Sequence, residues 1–391
     1  ASQKGFTAVM ELLLAVEGIN VNLASDTGDT SLMLASSEGQ TATAQRLLAH
    51  PEIKVNLANV DGDTAMMLAS RHGHTAIVQR LLTAPGIDQS GINQSNKNGY
   101  TALILASRHG HTSVVNLLVA NSTIDVNKKD GWGGRTALMY ASRGGHFEIV
   151  QLLLTAQGIN GIDVNVADRQ GVTALMLAID RRGVLAIDIV QMLLAAPGIN
   201  GNNGINVNMA SVNGTTALMV ASRLGRTTIV NQLLAVDGID VNLISSTGDT
   251  ALTWASKRGF AAIVQRLLTV SGIEVNHGDN DNGRTALITA SEFGHINIVR
   301  MLLAVQGIDV NKGNNYGKTA LMYASQFERT ATVKLLNTYL ARANARKNLV
   351  LLAAAAKFKI VLIRARLRAW APGGAAYLAL QQKTLVGKTI Q

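Results

Sequence analysis

Cysteine is absent from all 391 residues. Disulfides, thiolate nucleophiles and cysteine-based zinc sites are therefore excluded, and a disulfide-dense secreted scaffold goes with them. Aromatic residues make up only 4% of the chain. That suits small helices packed closely, not a deep aromatic-lined pocket. No apolar run reaches the roughly 18 residues needed to span a bilayer. The opening residues, Ala-Ser-Gln-Lys-Gly-Phe, include no initiator Met and lack the shape of a signal peptide. Acid is missing from one whole region. Beyond Leu336 there are ten basic residues and neither Asp nor Glu. The chain holds 35 basic and 25 acidic residues, so residues 1–336 balance at 25 of each. A neutral body carries a strongly basic tail.

What the body contains is one unit many times over. Gly62 to Leu82, GDTAMMLASRHGHTAIVQRLL, returns as GYTALILASRHGHTSVVNLL from Gly99 and GRTALMYASRGGHFEIVQLLL from Gly134. The Thr of this Gly-x-Thr frame falls at 30, 64, 101, 136, 173, 216, 250, 285 and 319, at spacings of 34, 37, 35, 37, 43, 34, 35 and 34. A period near 34 with two short helices per unit predicts a solenoid. Thr64 sits where a helix N-cap is wanted, and Gly73 where a left-handed residue ends a helix. Ile77, Val78, Leu81 and Leu82 fall on one face of the second helix. Neither helix is long enough to be stable alone in water, so stacking has to stabilise each unit. Gly-Ile-Asp-Val-Asn, as at Gly307 to Asn311, supplies a turn leading into a hairpin. Its Asn (Asn22, Asn56, Asn127, Asn165, Asn208, Asn242, Asn276, Asn311) is expected to bond the hairpin backbone.

The unit G-x-T-A-L-M-x-A-S-x-x-G-H-x-x-I-V-x-x-L-L-x-x-x-G-I-D-V-N resembles the ankyrin repeat. The resemblance covers Ala1 to about Leu336 and implies an all-α solenoid of stacked helix-turn-helix units with β-hairpin or loop fingers. A partial first repeat (1–22) precedes nine repeats whose Gly-x-Thr begins at 28, 62, 99, 134, 171, 214, 248, 283 and 317. The chain opens at the end of a first helix, so residues are expected before Ala1. Two departures from the family pattern stand out: its Pro is Ala here, and its His is Met in most units. Insertions at Pro85 to Asn96, Gln157 to Asn165 and Pro197 to Asn208 are rich in Asn and Gly and read as surface loops. Arg181 to Asp188 lengthens one inter-helix turn.

Residues 337–391 form the basic tail. Leu349, Leu352, Ala356, Ile360, Ile363, Leu367 and Trp370 follow helical spacing and predict an amphipathic helix, broken at Pro372-Gly373-Gly374. Three roles stay open for it: capping the array, entering an assembly with acidic protein or RNA, or lying on an anionic membrane surface. Its contact residues would be Lys357, Lys359, Arg364, Arg366, Arg368 and Trp370.

No catalytic, cofactor-binding or metal-binding constellation rises above background. Gly131 to Thr136 is Gly-rich but lacks the Lys-Ser/Thr of a phosphate loop. His74, His111, His146 and His295 recur once per repeat, too far apart to share a metal. What remains is surface. In the ankyrin family the partner lies against the concave side and the hairpin tips. The residues that map there are Arg71, His72, Arg108, His109, Arg143, Arg223, Lys257 and Arg258, with Tyr100, Trp132 and Tyr316 at the tips. Toward the ends the same positions read Ser37, Glu292 and Gln326. The sequence thus implies an intracellular, non-enzymatic scaffold with a protein partner, no small-molecule substrate and no sign of self-assembly. The alternative is a structural subunit of a ribonucleoprotein or membrane-associated assembly, anchored by the tail.

Overall fold

A computed structural model describes residues 7–156, 158, 161–181, 183, 185–196 and 204–370, with side chains characterised as far as residue 366. After a lone helix, Thr7–Leu14, nine helix pairs follow in register. The first helices are Ser31–Ser37, Ala65–His72, Ala102–His109, Ala137–Gly144, Ala174–Asp180, Ala217–Leu224, Ala251–Arg258, Ala286–Phe293 and Ala320–Gln326. The second helices begin with Thr41–Leu48 and Thr75–Leu82 and end with Ile296–Leu303 and Thr330–Trp370.

Each first helix starts because a Thr hydroxyl stands in for the missing turn: Thr64 Oγ1 accepts from Met67 N at 3.3 Å, and the other eight frame threonines do the same. Seven of the nine stop at a left-handed Gly, the exceptions being Ala174–Asp180 and Ala320–Gln326. Gly110 has φ 80°, and a Cβ there would lie 2.7 Å from the His146 ring of the next repeat. Between these caps, alanines at 0–1% exposure let the helices approach closely. Neighbouring first helices lie nearer one another than neighbouring second helices do, so the stack curves with the first helices on its inner side. Ile77, Val78 and Leu81 are buried as the stripe predicts, and Leu82 is half-buried. The core is one continuous cluster from Met10 to Leu336.

Polar ties between repeats follow three lines. At the loop tips, one backbone hydrogen bond joins each repeat to the next, from Val60 N→Thr27 O to Asn315 N→Asn282 O, all at 2.7–3.0 Å. Beneath the turns, His74 Nε2 meets Ser37 O at 3.0 Å and His111 Nε2 meets Arg71 O at 2.9 Å. These histidines tie repeats together, and among the described residues no group of three metal-ligating side chains forms. At the outer loops sits a two-point clamp. Asn242 donates to Gly272 O at 2.8 Å and accepts from Glu274 N at 2.9 Å, and Asn22, Asn127, Asn165, Asn208 and Asn276 repeat the pattern.

Here the structure corrects the sequence reading. The Asn side chain bonds the loop of the following repeat, not its own hairpin. The fingers are loops as well: five carry a single isolated bridge, such as Ala58↔Thr64, and no strand forms among the described residues. The insertion at 85–96 is more than a surface loop. It folds into a short helix, Gln89–Ile92, whose Ile92 is buried. Asn93 then acts as a clamp, on Thr123 O at 2.8 Å and Asp125 N at 2.8 Å. Residues 157, 159–160 and 197–203, which hold parts of the other two insertions, lie outside the described residues.

The last repeat differs again. Its second helix does not stop at Leu336 but runs unbroken for 41 residues to Trp370. The boundary between array and tail is a change of burial, not of secondary structure. Thr332 and Leu336 are buried, Tyr339 and Leu340 half-buried, and nearly everything from 341 to 366 is exposed. Capping, one of the three roles left open for the tail, is therefore not seen over residues 341–366, whose apolar stripe is largely exposed. Pro372-Gly373-Gly374 lies outside the described residues.

Candidate protein-binding groove

The inner face is built from three positions per repeat. The first is the tip residue after Gly, the second faces inward from mid first helix, and the third lies eight residues after the tip. In the central repeats these are Tyr100, Leu105 and Arg108, then Arg135, Tyr140 and Arg143. Thr capping fixes the tip residue at the start of its helix, so the third position folds back over it. Arg71 pairs with Asp63 at 2.8 Å. Arg284 pairs with Glu292 at 2.8 Å, and Lys318 donates to Gln326 at 3.0 Å. The stripe of basic residues is thus neutralised at Arg71, whose guanidinium already holds a carboxylate.

Between those repeats Arg135 pairs with Asp168 at 3.1 Å, while the basic residues of the stripe itself have no acidic partner. The Arg108 guanidinium lies 5.4 Å from the Tyr100 ring centre and 5.6 Å from that of Tyr140, and donates to Tyr100 Oη at 3.0 Å. The two rings meet edge to face at 6.2 Å. Arg143 follows Tyr140 by three residues on one helix and so shares its face; it is exposed. Lys257 sits 5.2 Å over Trp254, Arg258 is exposed and Arg223 half-buried. Arg108, Arg143, Arg223, Lys257 and Arg258 form no ion pair among the described residues. His72 and His109 stack on His74 and His111 at 6.0 and 6.2 Å. Burial pulls both down from 6.5, helped by His74 beside His72 and by Arg108 beside His109. Near neutral pH the groove draws its positive charge from Arg and Lys.

The patch is braced from below. Tyr140 Oη donates to Asp130 Oδ2 at 2.6 Å, and Asp130 Oδ1 accepts from Trp132, Gly133 and Gly134 backbone N–H groups at 2.7–3.1 Å. Burial alone would raise the Asp130 carboxyl, but these bonds outweigh it and hold it below its ordinary value. Burial and the same carboxylate push Tyr140 far up. The loop so fixed presents Trp132, whose Nε1 donates to Asn98 Oδ1 at 2.8 Å while the ring stays 71% exposed. Tyr316 is 74% exposed near the far end.

Of the residues expected at the site, the structure brings Tyr100 and Arg108 together beside Trp132. It leaves Arg223, Lys257, Arg258 and Tyr316 as separate points along the same face. The sequence reading missed Tyr140, Asp130 and Trp254. The signal for the two aromatics was the variable position of A-L-M-x-A-S, where Tyr140, Trp254 and Tyr323 stand among Leu, Val and Thr.

A family model for ankyrin repeats in sets of three matches residues 1–90, 53–130, 128–204, 188–279 and 255–348. The chain belongs to the ankyrin repeat family. No curated protein matches it, whereas 536 solved chains do. One is the crystal structure of EF0377, an ankyrin repeat protein, 26% identical over 55% of this chain and all of its own, with a TM-score of 0.47. Membership rests on the family model, since so low a TM-score carries no weight. Ankyrin repeats generally serve as protein–protein interaction modules, and this array is an all-α solenoid of that kind. Among the described residues, no helix is long and apolar enough to cross a membrane.

Proposed function

We propose that this chain is a non-enzymatic, intracellular scaffold that binds a protein partner along the inner face of its ankyrin array, centred on repeats 99–153. The observation that carries this is the Tyr100–Arg108–Tyr140 cluster beside the exposed Trp132. Binding energy concentrates where aromatic and Arg side chains are held rigid before the partner arrives. Arg108 and Arg143, without acidic partners, favour an acidic segment in the partner.

A pull-down from the native source with the intact chain and a Trp132→Ala/Tyr100→Ala/Arg143→Ala variant tests the reading. Loss of a partner that the parent retains is the expected outcome. If every partner is retained equally, the groove is not the binding face.

A second reading is supported by the helix beyond Leu340. A helix that leaves the array with its apolar side chains uncovered suits an anchor in a larger assembly, with Lys357, Lys359, Arg364 and Arg366 as contacts. Arg368 and Trp370, assigned the same role from sequence, have side chains outside the described residues.

A further inference from the structure

We infer that the projecting helix is a lipid-binding element whose partner is an anionic bilayer surface. The inference deepens the anchoring reading and rests on it. From Leu349 to Ile363 the sequence is LVLLAAAAKFKIVLI, in which 13 of 15 residues are apolar. Leu349, Leu352 and Phe358 are 67–70% exposed, and Val350, Leu351, Val361 and Leu362 are exposed too. A water-soluble helix does not leave such a run uncovered without a use for it.

The distribution of these groups around the helix selects the occupant. At about 100° per residue, Leu349, Leu352, Ile360 and Ile363 share one face, while Leu351, Phe358 and Leu362 share the opposite one. Lys357 and Lys359 stand about 200° apart on the two edges between them, with Arg364 near the first edge and Arg366 near the second. A groove on a protein covers one face of a helix and leaves the other wet. An acyl-chain boundary surrounds most of the circumference, and edge lysines and arginines reach out of it to the headgroups along their own methylene stems.

Charge narrows the choice further. No Asp or Glu follows Glu328, and among the described residues none of the basic side chains in 342–366 forms an ion pair. Arg342, Arg346 and Lys347 flank the apolar run on one side and Arg364 and Arg366 on the other. Such an acid-free cationic rod, about 39 Å long over residues 341–366, matches a continuous negative sheet. A second copy of the helix would set like charges against each other. RNA would neutralise the cations but gain nothing from the aliphatic side chains, and Phe358 is the one ring in 341–366 available for base stacking. The run is too short, and too interrupted by Lys, to cross the bilayer, so the helix lies on it.

Flotation of the intact chain with vesicles tests this. Vesicles of phosphatidylcholine with about 30% phosphatidylserine should carry the chain at low salt, and vesicles of phosphatidylcholine alone should carry far less, because each basic residue near an anionic surface adds a roughly fivefold gain. Lys357→Gln/Lys359→Gln should lower binding roughly fivefold per charge removed. Leu352→Asp/Ile360→Asp should abolish flotation while circular dichroism and the unfolding of the array stay unchanged, since both positions are outside the core. Absence of flotation with the anionic vesicles, or flotation unaffected by Leu352→Asp/Ile360→Asp, overturns the proposal. Retention on polyuridylate without flotation would also overturn it while leaving the anchoring reading in place; failure on vesicles and RNA, with no tail-dependent complex from the native source, would remove both.

Discussion

Residues 30–336 and residues 341–366 are both helical and both rich in Ala and Leu, yet their stability has different sources. In the array before Thr330 no helix is longer than ten residues, and none would persist alone. The first helices are held by Thr caps and mostly by left-handed Gly ends, second helices such as Thr75–Leu82 have no side-chain cap, and both kinds depend on apolar contact with their neighbours. Among the described residues the projecting helix has no such neighbours beyond Leu340. It persists through length, through Ala and Leu propensity, and through docking of its first turns on the last repeat. Identical side chains therefore carry different meanings in the two regions. A Leu in the array is packing; a Leu in the projection is surface held ready for something else.

The largest expected effect tests that contrast directly. Leu153 is fully buried in the middle of the stack. Leu153→Ala should cost about 2–5 kcal/mol, the range for a buried Leu truncated in a well-packed core. Leu352→Ala, the same chemical change on the projection, should stay within about 0.5 kcal/mol. Urea unfolding of both variants measures the difference. A repeat array breaks up locally before it breaks up globally, so amide exchange in the second helices on either side of Leu153 is the sharper readout. Equal costs for the two substitutions would mean that the projection is packed against the array.

A smaller effect is expected at the groove, where a polar bond plays the part that apolar packing plays elsewhere. Tyr140→Phe removes the donor to Asp130 and should cost about 1–3 kcal/mol, as for a partly buried bond to a carboxylate. The pH dependence has a definite sign. A carboxyl held below its unfolded value of 3.8 stabilises the fold at pH above that value, and the stabilisation is lost as pH falls through the folded value. Without Tyr140 Oη the carboxyl is depressed less, so the parent has more to lose. The gap between parent and variant should be widest near neutral pH and narrow below about pH 4. A gap independent of pH would assign the cost to packing of the ring instead.

Most of the framework was legible because it depends on residue type at a fixed spacing. Thr64, Gly73 and the Ile77-Val78-Leu81 stripe each do what a single repeat predicts of them. The inter-repeat features were less so, because they depend on what the neighbouring unit offers. Asn242 reads as a residue that bonds nearby backbone, and it does, but the backbone belongs to the loop around Gly272 and Glu274. Asn93 was hidden because the insertion disguised Ile92-Asn93, which occupies the place of Val-Asn. The groove was half legible. Arg71 and Arg108 sit at equivalent positions and look alike in sequence, yet Asp63 binds one while Tyr100 and Tyr140 receive the other. That difference arises from the residue eight positions earlier and from the adjacent repeat, not from the arginine itself. The exposure of the tail could not be read at all, since an amphipathic stripe states that something covers it and not what.

The smallest predicted effect lies where the two regions join. The inter-helix turn of the last repeat reads Gln326-Phe327-Glu328-Arg329, and Glu328 takes φ 56°, the one positive φ outside glycine among the described residues. Earlier repeats place Gly there. At Gly73 a Cβ would lie 2.5 Å from the His111 ring, so packing as well as backbone conformation requires its absence. After Glu328 no further repeat stacks on the turn, and only the conformational penalty remains, about 1–2 kcal/mol for a side chain in the left-handed region. Glycine's greater freedom in the unfolded chain returns about 0.5–1 kcal/mol of that. Glu328→Gly should therefore stabilise the last repeat by roughly 0.5–1 kcal/mol, seen as slower amide exchange from Thr332 to Leu336 and no change at Ile149 to Leu153. If exchange there quickens instead, a neighbour rests on Glu328, and the array does not end its stacking at the point where the helix begins to project.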